Sequence, residues 1–206
     1  TIGLETMERA LASLRETILA NEQYFCELDG VAGDGDFGTS LATGWREIAN
    51  RWDMLDRSSV GHFLLAHAQI ISSKVGGCSG PIWGTAFMRA GMVTKGMDAL
   101  DAATIEVMFD KAIDGIKARG GAELGDKTLL DALVRDAFVR DKETSPLASC
   151  VAAADAAVEA IRNLEARRGR QSFTGTRSIG SDDPGAVAVA MIARNIMVAL
   201  GEPMNA

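Results

Sequence analysis

The sequence predicts an all-α protein folded as a single domain. Three observations carry that expectation. In eight segments apolar residues recur every three or four positions, the spacing of one face of a helix. No run of four to eight alternating residues bounded by turns is present, and 173–179, the nearest to one, is broken by Gly175. Glycines concentrate between the periodic segments, at 30–38, 76–84, 120–125 and 169–185. At 206 residues, with no internal repeat and no low-complexity linker, the chain suits one core, so a single domain over 1–206 is expected.

The first helix, 4–18, carries Leu4, Met7, Leu11, Leu14 and Ile18 as one stripe. The second is read over 41–55. The third, 60–75, holds Phe63, Leu64, His67, Ile70 and Ile71, so both His67 and His62 are given packing or surface roles. The fourth covers 82–97, and the fifth, 105–116, repeats Met108, Phe109, Ala112 and Ile113. The sixth is read over 129–139. The seventh, 147–164, is Ala-rich and runs into Glu165-Ala166-Arg167-Arg168-Gly169, cations in a last turn followed by a stop glycine. Before the eighth, Asp183-Pro184 offers a cap and a helix-starting proline. That helix, 187–200, is apolar nearly all round and is expected to be central.

Composition narrows the partners. A net charge of −7 argues against a nucleic-acid partner held through phosphates. No apolar run approaches the roughly 18 residues of a membrane span, so no membrane role is expected. Cys26, Cys78 and Cys150 are odd in number, far apart and never in C-x-x-C, and only His62 and His67 accompany them. A disulfide framework or a zinc site is therefore not expected. The chain opens at Thr1 without methionine or a signal-like segment, which points to a missing start residue or tag and to a soluble cytoplasmic protein.

The stretch Gly33-Asp34-Gly35-Asp36-Phe37-Gly38 spells the dinucleotide pattern G-x-G-x-x-G, with Asp53 following at about the right distance. Its context fails. That fold needs a buried strand before the first glycine, where this chain has Glu27-Leu28-Asp29-Gly30-Val31-Ala32, and a second strand where it has an amphipathic helix. What remains is Asp29-x4-Asp34-x-Asp36, carboxylates that interspersed glycines can fold onto one point. Two carboxylates 4 Å apart repel by on the order of 4 kcal/mol at an effective dielectric of 20, so convergence requires a cation. Oxygen ligands without histidine or thiolate suit Mg²⁺ or Ca²⁺. An EF-hand is excluded, because its twelfth position would fall on Ser40 or Trp45 rather than glutamate. Magnesium commonly completes its shell with phosphate oxygens, which implicates a nucleotide. From this stretch alone a metal loop and an acidic, solvated turn stand level.

Other loops bear on that choice. Gly76-Gly77-Cys78-Ser79-Gly80-Pro81 sets amides and a hydroxyl before a helix start, as an anion needs, but is no nucleophile elbow because Pro81 stands where glycine should. Gly125-Asp126-Lys127-Thr128 lacks the Gly-Lys step of a P-loop. Arg170 and Arg177 flank a loop rich in Gly, Ser and Thr, where arginine could hold a phosphate or simply face solvent.

Taken together, the segments LDGVAGDGDFGTS, GGCSGPIWGTAF, GDKTLLDAL, RRGRQSFTGTRSIG and DDPGA resemble the L subunit, or L domain, of dihydroxyacetone kinases, in order and over nearly the whole chain. The resemblance implies an eight-helix antiparallel up-and-down barrel with the nucleotide at one end, between helices. It implies that Asp29, Asp34 and Asp36 bind two Mg²⁺ ions, and that these hold the phosphates of ATP or ADP. Nucleotide contacts carry over to Phe37, Gly38, Thr39 and Ser40, to Cys78 and Ser79, to Gly120, to Leu129 as an apolar wall for the base, to Arg170, and to Asp183, Pro184 and Gly185. Histidine usually follows the third aspartate, with asparagine three residues later; this chain has Phe37 and Ser40.

Nothing in the sequence looks like a general base or covalent nucleophile. The resemblance accounts for this: a separate K subunit holds the ketose through a histidine, and the L subunit donates the phosphoryl group, from exchanging ATP or from bound ADP recharged by a phosphotransferase-system protein. A chain of this kind is expected to bind nucleotide but not to phosphorylate sugar alone. A non-catalytic nucleotide sensor that signals to a partner such as a transcriptional regulator is the alternative expectation.

Overall fold

A computed structural model describes residues 1–133 and 146–201 and places in them α1 (Leu4–Ala20), α2 (Glu22–Ala32), α3 (Phe37–Asn50), α4 (Val60–Lys74), α5 (Ser79–Val93), α6 (Ala102–Gly120), α7 (Leu129–Ala132), α8 (Pro146–Ile161) and α9 (Pro184–Ala199). The 3-10 segments Trp52–Met54 and Arg170–Ser178 join them. The protein is all-α, as the periodicity predicts. One small addition is an antiparallel pair, β1 (Ile2–Gly3) with β2 (Ala99–Leu100), which ties the chain start to the turn before α6. Two residues are too few to show alternation, so no sequence pattern announces it. Of the helix expected over 129–139, residues 134–139 lie outside the described residues.

The helices close into a ring. α1 packs on α3, α3 on α4, α4 on α5 and α5 on α6. Ile116 of α6, Ala122 and Leu130 of α7 form one cluster, and α7 and α8 both pack on α9, which returns to α1. As its composition predicts, α9 is central: Ala186, Val187, Ala188, Ala190, Ile192 and Met197 are all buried. The core is filled by Phe25, Trp45, Ile48, Phe63 and Ile71, with Trp45 edge-on to Trp83 at 5.7 Å between ring centroids. Burying such side chains stabilises the fold by about 2–3 kcal/mol each.

Some helix ends shift. α3 stops at Asn50 rather than 55, and α8 at Ile161, so that Arg167 and Arg168 lie beyond its last turn. One helix is not expected at all. Residues 30–38 read as a single loop, yet α2 runs through Gly30 to Ala32. Phe25, Asp29 and Ala32, spaced four and three apart, form its buried face, and that packing outweighs the local glycine penalty. α2 lies against α3, and the approach is close: a Cβ on Gly38 would overlap the Glu22 carbonyl oxygen.

His67 is 1 % exposed, among Phe63, Trp52 and Phe87, with its Nδ1 2.8 Å from the Phe63 carbonyl. Burial pushes its pKa down from 6.5 to about 4. The folded protein therefore holds His67 neutral while the unfolded chain takes up a proton, so stability falls as pH drops from 6.5 towards 4. Between pH 7 and pH 5 this group is expected to remove about 2 kcal/mol, and His67→Phe to remove that part of the pH dependence. Urea unfolding of both proteins at the two pH values measures it; equal slopes would contradict the assignment. Among the described residues no helix is long and apolar enough to cross a membrane.

Candidate functional site

The three aspartates of the opening loop converge. Asp29 sits in the last turn of α2, largely buried, and its Oδ2 accepts the backbone N–H of Asp36 at 3.0 Å and of Phe37 at 3.3 Å. Those bonds fold the loop back and satisfy amides at the start of α3, which otherwise lack intrahelical partners. Gly35, at φ 77°, makes the turn that brings Asp34 and Asp36 round. Each carboxylate can place an oxygen within 4.8 Å of the other two, with Asp34 and Asp36 open to solvent. A buried oxygen held by amides beside two exposed ones is a donor set that fits a hard cation keeping part of its water or phosphate shell. Arg170 faces the cluster and pairs with Asp34 and, at 3.2 Å, with Asp36.

The cluster stands at the edge of a cleft of about 200 Å³. Phe37 and Ser40 line it from the start of α3, Cys78 and Ser79 from the start of α5, Gly120 from the end of α6, and Leu129 from α7. Arg170 and the run Asp183, Pro184 and Gly185 close the other side. Gly38 and Thr39 are the two expected contacts not on the cleft wall: Gly38 is buried under Glu22, and the Thr39 hydroxyl points to Cys26 Sγ at 3.4 Å. Phe37 packs on Phe25, with ring centroids 5.9 Å apart.

Beyond Leu129, sequence reasoning missed the apolar wall. Ile82 and Trp83 of α5 and Ile116 of α6 face the cleft, but an apolar residue on a helical stripe carries no sign of whether it meets a ligand or the core. It also missed Gln171, which is 5 % exposed and whose side-chain amide meets no protein partner.

Charge inside the cleft is managed closely. Asp183 caps α9, accepting the N–H of Ala186 at 2.8 Å, and burial raises its carboxyl to about 7, the nearby Asp131 and Asp29 adding to the rise against Lys127. Lys127, 1 % exposed, donates from Nζ to the carbonyls of Arg162 at 2.9 Å, Leu164 at 3.1 Å and Ser178. The lysine of Gly125-Asp126-Lys127-Thr128 therefore ties the α7 turn to the chain beyond α8. Burial depresses its pKa, opposed by Asp183 and Asp182.

Residues 31–198 match the family model described as the DAK2 domain. An L-erythrulose 1-kinase of Mycolicibacterium smegmatis is 37 % identical over 95 % of this chain, which spans only 35 % of that protein's length. A protein of Lactococcus lactis named "PTS-dependent dihydroxyacetone kinase, ADP-binding subunit DhaL" is 33 % identical over 95 % of this chain and 97 % of its own length. Among solved structures, the dihydroxyacetone kinase of C. freundii superposes with a TM-score of 0.70 at 25 % identity, covering 93 % of this chain and 33 % of that one.

Proposed function

The chain belongs to the DAK2 domain family, and from that premise we propose that it is the nucleotide-binding, phosphoryl-donating subunit of a dihydroxyacetone-type ketose kinase. One observation carries the reading: three carboxylates converge at the mouth of a cleft whose inner wall is apolar. In this reading residues 1–206 form one L domain. Asp29, Asp34 and Asp36 would hold two Mg²⁺ ions, and Ser40, Cys78 and Ser79 would line the phosphate path. Leu129, Gly120 and the start of α9 (Asp183, Pro184, Gly185) would enclose the base and sugar. Bound magnesium would neutralise phosphate charge, the main requirement of a loose phosphoryl-transfer transition state. Asp29 presents its carboxylate in a fixed direction because two amides hold it. Arg170, on the cleft lining beside Asp34 and Asp36, would be placed to meet the transferred group.

The ketose itself would be held by a separate K subunit, a reading supported by the likeness to the Lactococcus lactis protein named as an ADP-binding subunit, of which this chain covers 97 %. Mixing the chain with K subunits, Mg-ATP and dihydroxyacetone or erythrulose tests this. Sugar phosphate is expected from the mixture and from neither protein alone. No product with several K subunits would instead favour a nucleotide sensor. The donor is decided separately: ADP retained through dialysis identifies a coenzyme recharged by a phosphotransferase-system protein, and its loss identifies ATP exchange.

A further inference from the structure

We propose that Arg170 is the resident counter-ion of the metal site, one that a divalent cation must displace, after which its guanidinium turns to the phosphates. The inference rests on the metal–nucleotide reading above and concerns the order and coupling of binding.

Three carboxylates within 4.8 Å of one another repel, and a nearby cation offsets that repulsion. Arg170 supplies it, reaching from the Arg170–Ser178 segment across the cleft mouth to Asp34 and Asp36. A metal bound by the same oxygens brings a second positive charge to the same point, so the two compete. Asp29 is the cluster member without an Arg170 contact, being held by amides instead, so the competition falls on Asp34 and Asp36.

The segment is tied at its Ser178 end. The chain leading into it is held by the Arg167 N–H on the Asp126 carbonyl at 3.1 Å and by Arg168 on the Asp126 carboxylate at 3.2 Å, so freedom lies at Gly169 and in the Arg170 side chain between these ties. Ser178, fully buried, accepts the Ala166 N–H at 2.9 Å and donates to the Gly175 carbonyl at 2.7 Å, while its own carbonyl receives Lys127. At the other end Gly169 (φ 67°) precedes Arg170, and Gly175 (φ 56°) kinks the segment midway. Gln171, next to Arg170, is buried but its amide has no protein partner, so it adds no polar tie holding this position. Arg170 also already neighbours the 76–79 loop, since a Cβ on Gly77 would lie 3.8 Å from its Nη2. Released from the carboxylates, the guanidinium stays in the cleft and can find a phosphate there.

Metal and nucleotide therefore help each other. Metal alone must break the arginine's pairs, whereas metal with nucleotide gives the arginine a new anion, which is a coupling free energy between two ligands of one site. Titrating Mn²⁺, followed by electron paramagnetic resonance, into wild type and Arg170→Gln tests this with and without ADP. Without nucleotide the variant is expected to bind Mn²⁺ roughly fivefold more tightly, the size of an exposed ion pair. With ADP it is expected to bind more weakly than wild type. Equal or weaker Mn²⁺ binding by the variant without nucleotide, with ADP binding intact, overturns the counter-ion role alone. Failure of both proteins to bind Mn²⁺ or ADP overturns the metal–nucleotide reading with it.

Discussion

Asp34→Ala is expected to abolish magnesium-dependent nucleotide binding while leaving the helical fold intact. Asp34 is exposed at the cleft mouth and faces the other two carboxylates and Arg170. Removing it takes away one hard oxygen and one of the charges that attract the cation. Losing even an outer partner of a metal ligand typically costs 10–100-fold in affinity, so losing a ligand should cost about a hundredfold or more. Because the carboxylate is repelled by its neighbours, its removal is expected to leave the melting temperature within about 2 °C, since surface changes usually stay within 0.5 kcal/mol. Calorimetric titration with Mg-ADP and thermal melting read the two effects, and undiminished affinity would refute the metal assignment. Asp29→Ala should differ in one respect. It also strips the acceptor from the Asp36 and Phe37 amides, so it is expected to lose about 1 kcal/mol of stability as a lost helix cap does.

Lys127→Met is expected to lower stability by on the order of 3 kcal/mol, close to 10 °C in melting temperature for a chain of this length. Methionine matches the length of the side chain but leaves three carbonyls, of Arg162, Leu164 and Ser178, without their donor. Each unsatisfied group in the interior costs about 1–3 kcal/mol, and partial access to water sets the lower end. The loss should concentrate near the cleft, because Lys127 joins the α7 turn to the segment that carries Arg170. Hydrogen exchange should therefore speed up over 162–178 before it does in α1 or α4. A variant with wild-type stability and exchange would show that these carbonyls find other partners.

How much of this the sequence foretold follows from distance along the chain. Helices depend on residues three and four apart, so their faces were legible, and α9 was recognisable as central from its composition alone. The aspartates lie within eight residues of one another, so their convergence could be argued from glycine and Coulomb repulsion. α2 is not legible locally because Gly30 and the acids beside it resemble a loop, and only the burial of Phe25, Asp29 and Ala32 against the rest of the protein makes it a helix.

The sequence by itself determined the helical class, the acidic triad and the small-residue loops that border the cleft. The tertiary structure decided what stands opposite them. Arg170 meets Asp36 across 134 residues of chain, and Lys127 finds its carbonyls 35 to 51 residues away. No local pattern encodes such pairings, because a charged side chain looks the same in sequence whether it faces water or fills an interior site. Its role is set by which groups the packed helices bring within hydrogen-bonding reach.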